Sequence, residues 1–190
     1  MDCLVEDMCI DKKKRREYFM WKNMLSRCTD KYWGSKPTYL GTNCSNNFKS
    51  YAFFYEWCNK QIGFGSVDEN NRYWHLDKDL LIKGNKLYSE DTCVFIPSRI
   101  NNLFVKRENL RGENPIGVYW SKNPCKFVAR CNINKGVQKH LGNFETPEQA
   151  FLAYKTFKES LIKQVANEYK SQLDPRAYEA LLNYTVEVTD

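Results

Sequence analysis

Histidine is scarce in this chain of 190 residues: there are two, His75 and His140, and the eight cysteines include no C-x-x-C pair. A zinc knuckle or a dithiol redox site needs such ligands at close spacing, so neither is expected. Long apolar runs are lacking too, and nothing approaches the roughly 20 residues that a membrane helix needs. The opening Met1-Asp2-Cys3-Leu4-Val5-Glu6-Asp7 is acidic and has no apolar run, so no secretory leader is expected. These absences point to a soluble cytoplasmic protein with no membrane partner. In that reducing compartment the cysteines should be free thiols, packed as small hydrophobes.

Proline and glycine are also modest, at 6 and 9, against 42% hydrophobic and 15% aromatic residues, so the chain can bury a core. Lys and Arg number 29 and Asp and Glu 23, a formal charge of +6 that suits a polyanionic partner.

Three segments follow one another. In the first, the basic block Lys12-Lys13-Lys14-Arg15-Arg16 leads into Tyr18, Trp21, Met24, Leu25 and Cys28, whose spacing predicts an amphipathic helix. Gly34 to Asn47 is expected as a loop, and Phe48 to Cys58 as a second, aromatic helix. The middle segment predicts strand, loop, strand, helix: Tyr73 to Leu76, a turn at Lys83-Gly84-Asn85-Lys86, Cys93 to Ile96 stopped by Pro97, and a short helix from Ser98 to Leu103. The polar stretch 105–114 is expected as a linker between domains at 1–104 and 115–190.

The third segment is the most regular. Ile116 to Trp120, Lys126 to Ile133 and Val137 to Phe144 alternate as half-buried strands do, with Asn134-Lys135-Gly136 as a hairpin turn. Thr146-Pro147-Glu148-Gln149 predicts a capped helix start. The stripe Ala150, Ala153/Tyr154, Phe157, Leu161, Val165 continues it as a long helix over the sheet, and a short helix is expected near Pro175 to Leu182. Alternation then turns Phe127, Ala129, Cys131 and Ile133 towards the helix. The other face receives Tyr119, Lys126, Arg130, Asn132, Gln138 and His140, with Lys122 beside it. Such side chains reach phosphates and base edges, and a small sheet can enter a major groove. An ordinary solvated sheet face would satisfy the same pattern.

Gly117-Val118, Lys126 to Arg130, Leu141-Gly142-Asn143-Phe144-Glu145-Thr146-Pro147-Glu148-Gln149-Ala150 and Ala153-Tyr154 together resemble an Apetala-type DNA-binding domain. The resemblance implies a three-stranded antiparallel sheet on one helix, with the sheet reading the major groove and Arg130 as the first DNA contact. Upstream, Trp21, Met24, Leu25, Arg27 and Cys28, then Leu76-Asp77-Lys78-Asp79, Lys83 to Lys86, Tyr88-Ser89, Cys93 to Pro97 and Ile100-Asn101 resemble phage HNH-type homing-endonuclease-like proteins. That family's ββα site uses a His base and a divalent metal. Here Asp77 aligns with the acidic residue before the catalytic His, and Lys78 occupies the His position.

The expectation is therefore an α+β protein of phage or mobile-element origin, acting in the bacterial host cytoplasm. It would bind double-stranded DNA through the sheet face and the basic block Lys12 to Arg16, behind an inactive HNH-like domain without cofactor. One alternative is an active nicking or homing endonuclease with His75, Asp77 and Asn101 as catalytic residues. Asp77 and Asn101 would then hold Mg or Mn. A second alternative is a DNA-binding inhibitor of a host defence nuclease, such as a CRISPR effector.

Overall fold

The computed structural model describes residues 15–105, 113–134, 136–188 and 190. Lys12, Lys13 and Lys14, most of the expected linker, Lys135, and Cys3 and Cys9 lie outside the described residues. The chain divides into two compact units, Met1–Ile96 and Pro97–Asp190.

In the first unit, α1 (Arg16–Arg27) carries the expected amphipathic stripe, and Met24 is its buried residue. The indole N–H of Trp21 donates to the Phe48 carbonyl at 2.8 Å, and the Tyr18 and Trp21 rings each lie 5.5 Å from Tyr51. Thr29 caps α2 (Asp30–Ser35), which the sequence pattern did not announce. The expected loop up to Asn47 contains a 3-10 turn, Pro37–Tyr39, and strand β1 (Asn43–Cys44). The second aromatic helix is broken in two at Ser50, as α3 (Asn46–Lys49) and α4 (Tyr51–Lys60). Two serines cause the break. Ser45 Oγ accepts from the Phe48 N–H at 3.2 Å and Ser50 Oγ from the Phe53 N–H at 3.4 Å, so each starts a helix of its own. Strand β2 (His75–Asp77) pairs antiparallel with β4 (Val94–Ile96), whereas β3 (Leu87–Tyr88) pairs parallel with β1. Phe48, Phe54, Trp57, Trp74, Tyr88 and Phe95 form the core beneath them.

The second unit opens with α5 (Ser98–Leu103), followed by β5 (Val118–Ser121), β6 (Lys126–Asn134) and β7 (Val137–Phe144) in one antiparallel sheet of order β5-β6-β7. The sheet packs on α6 (Pro147–Glu168), and α7 (Pro175–Leu182) follows. The cap forms as the sequence predicts, with Thr146 Oγ1 accepting the Gln149 N–H at 3.3 Å. Val118, Ala129 and Cys131 are buried on the helix side of the sheet. The division at Ile96/Pro97 places α5, read from the sequence at the end of the middle segment and within the 1–104 domain, among the contacts of α6 and β6.

The buried stripe of α6 takes in Ile162 and Ala166 beyond those expected, and it departs from expectation at Phe157. Phe157 is half-buried, while Lys158 takes the core position between Tyr154 and Ile162. Four described cysteines (Cys44, Cys58, Cys93 and Cys131) are buried free thiols, Cys28 is half-buried and Cys125 is exposed. Among the described residues no helix is long and apolar enough to cross a membrane.

Candidate nucleic-acid interface

The outer face of the second unit's sheet is assembled by register. Arg130 lies directly across from His140, Asn132 from Gln138, and Val128 lies between Tyr119 on one side and Asn143 on the other. Arg130 is exposed, and its guanidinium sits over the Tyr119 ring, 5.0 Å from its centre. That stacking holds the cation upright on the sheet without neutralising it. Lys126, at the end of the same face, pairs with Glu145 at 2.7 Å, and Lys122 is exposed in the turn between β5 and β6. Val128, only 3% exposed, is the apolar floor of this face. Six residues singled out from the sequence, Tyr119, Lys126, Arg130, Asn132, Gln138 and His140, thus share one face.

Sequence alternation missed a seventh. Between Ala129 and Arg130 the pairing shifts register, because Leu141 is an extra residue in β7. A strict period of two from Gln138 and His140 would turn Gly142 and Phe144 outward. The bulge exchanges the parity and turns Asn143 outward instead. The signal was present: Gly142, at φ 141°, is a lone glycine inside a strand pattern.

Of the basic block, Arg15 and Arg16 are described, and both lie against aromatic rings. Arg16 donates through Nη2 to the Trp74 carbonyl at 2.8 Å and lies over the Tyr73 and Phe64 rings at 4.1 and 5.0 Å. Burial pulls its pKa down. Arg16, expected at the DNA, sits in an aromatic box inside the first unit. Arg15 lies 5.6 Å from the Tyr55 ring centre.

The residues suggested for catalysis are also given by geometry. His75 and Asp77, two apart on β2, fall on the same side of that strand. Burial, and then the Arg72 guanidinium, hold His75 below the usual imidazole range. Burial, reinforced by Asp79, pushes Asp77 up to about 6. Asp77 Oδ1 accepts the backbone N–H groups of Asp79 and Leu80 at 3.0 and 2.7 Å, a turn-forming role. Lys78 is 8% exposed, and its Nζ donates to the Asn85 carbonyl at 3.0 Å and to Asp79 at 3.3 Å. Asn85 answers by donating to the carbonyls of Lys78 and Leu87 at 2.6 and 2.7 Å. Lys78 is a latch across the loop between β2 and β3. Cys93 is buried, and burial pushes its thiol up to about 12. Asn101 belongs to α5, in the second unit. Among the described residues no three His, Cys, Asp or Glu side chains gather as a metal site.

Compared with family models, curated proteins and solved structures, the chain matches none.

Proposed function

We propose that this protein binds double-stranded DNA, with the outer face of the β5-β6-β7 sheet lying in the major groove. The observation that carries the reading is the exposed Arg130, cross-strand from His140 and stacked on Tyr119, in a row with Asn132, Gln138 and Asn143. A guanidinium offers a two-pronged donor to guanine, the amides can pair with adenine, and lysines at the rim meet phosphates. The helix-backed sheet holds these groups on a rigid support, so little ordering is required on binding.

A gel-shift titration on duplex DNA over a salt series tests this. Contact with about five phosphates gives a log–log slope near −4.5. Arg130→Ala should weaken binding by about 1–3 kcal/mol in a base-dependent way if Arg130 reads a guanine, with the melting temperature unchanged. A folded protein with no duplex affinity at low salt sinks the proposal.

For the first unit we propose an HNH-like scaffold without nuclease chemistry. The support is chemical: an ammonium has only donors to offer, and Lys78 spends them on closing its own loop. Plasmid DNA incubated with the protein and Mg²⁺ or Mn²⁺ should remain uncut. Nicking that His75→Ala slows by about 10²–10⁴-fold would overturn this and make His75 the base.

A further inference from the structure

Within the second unit, β5 stops short. Its pairing with β6 ends at Val118, and the last bond along that edge runs from the Arg130 N–H to the Gly117 carbonyl at 2.9 Å. Among the described residues no strand pairs with β6 beyond that point on this side, and a cleft of about 400 Å³ opens there. Tyr119 and Arg130 reach it from the sheet, Tyr154 and Lys158 from α6, and Tyr184 and Asp190 from the C-terminal segment.

Lys158 is the anomaly. It sits in the buried stripe of α6, four residues after Tyr154 and four before Ile162, where the pattern calls for an apolar side chain. It is 7% exposed and makes no hydrogen bond or ion pair among the described residues. The electrostatic neighbour of its amine is Cys131, whose thiol burial keeps neutral. Asp190 Oδ2 accepts from the Glu187 N–H at 2.9 Å and from the Tyr184 hydroxyl at 3.4 Å. The stem of Lys158 is packed in the helix stripe while its amine opens on the cleft, without a hydrogen bond or ion pair among the described residues. An ammonium that opens on such a cleft can meet an anion there, with Asp190 on the same lining held by Glu187 and Tyr184. The volume exceeds that of inorganic phosphate and falls in the usual range for small-molecule sites, and the tyrosines in its lining, Tyr119, Tyr154 and Tyr184, suit a planar ring.

We infer that this cleft binds a phosphate ester of nucleotide size, the Lys158 ammonium meeting its phosphate. The inference stands on the cleft alone and does not depend on the DNA reading. The phosphate could belong to a free nucleotide or to a DNA backbone, and the experiment separates the two.

Calorimetric titration of the full chain with adenosine and guanosine monophosphates, adenosine, inorganic phosphate and a duplex oligonucleotide is the test. Saturable binding of a monophosphate, with adenosine at least about tenfold weaker, is the expected result and needs no variant. Lys158→Met should lose about tenfold or more in monophosphate affinity while melting no lower than the wild type and binding duplex as before. If the monophosphates do not bind but Lys158→Met weakens the duplex complex by that factor, the free ligand is excluded and the phosphate is the DNA's. No binding of monophosphate or phosphate at about 10 mM, with duplex affinity indifferent to Lys158→Met, overturns the inference. So does a Lys158→Met protein that keeps the wild-type monophosphate affinity.

Discussion

Gly117 and Gly136 both adopt positive φ, 76° and 79°, yet they are not equivalent. A Cβ on Gly117 would run into the Tyr154 ring, inside the seam between β5 and α6, whereas one on Gly136 would meet nothing within 4 Å. Gly136→Ala should therefore cost only the backbone strain, about 1 kcal/mol, and Gly117→Ala well above 2 kcal/mol or loss of folding. Urea denaturation of the pair checks this, and equal costs would mean that the seam is not closely packed. Lys158 carries a second prediction at this scale. Burial holds its amine below the usual lysine range, so between that value and the unfolded one the unfolded chain binds more protons. Stability then rises with pH across that window. Lys158→Met has no amine to titrate. It should be more stable than the wild type at neutral pH, and the gap should close as pH climbs towards the unfolded lysine value of about 10.4. A gap that stays constant with pH would show a charged, well-solvated amine in the folded protein.

The loop between β2 and β3 is held as an element rather than by one contact. Lys78 and Asn85 exchange bonds across it, and Asp77 closes its first turn. Removing the ammonium by Lys78→Ala should cost about 1.5–3 kcal/mol, the range for hydrogen bonds to charged groups. Lys78→His, too short to reach Asn85, should lose as much and gain no nuclease activity. Thermal melts and a plasmid assay read both outcomes, and metal-dependent nicking by Lys78→His would reinstate an intact dormant site. In the sheet, the bulge at Leu141 decides which β7 residues share the face of Arg130. The face is thus a property of three paired strands and not of any one of them.

Taken as a whole, the chain has two hydrophobic cores, one on each side of Ile96/Pro97. The second is built from Val118, Ala129, Ala150, Tyr154, Ile162, Val165 and Leu181, all within its own unit. A fragment spanning 97–190 should unfold cooperatively on its own. It should also retain duplex binding that depends on Arg130. Circular dichroism melts and gel shifts on the fragment check this, and a fragment that folds but ignores DNA would move the binding face to the first unit.

Sequence alone determined the β5-β6-β7 sheet, the capped helix α6 and six of the outward residues. Those features rest on hairpins and caps, whose partners are near in the chain and whose period shows in the residues themselves. Tertiary structure decided the rest. The parallel pairing of Asn43-Cys44 with Leu87-Tyr88 joins stretches with no local signal in common. Arg16 left the basic block for an aromatic box formed by residues about fifty positions away. Lys158 sits in the buried stripe of α6, where a helical pattern calls for an apolar side chain, and a cleft opens beside it. Each of these depends on which distant residues come to surround a side chain, and periodicity carries no record of that.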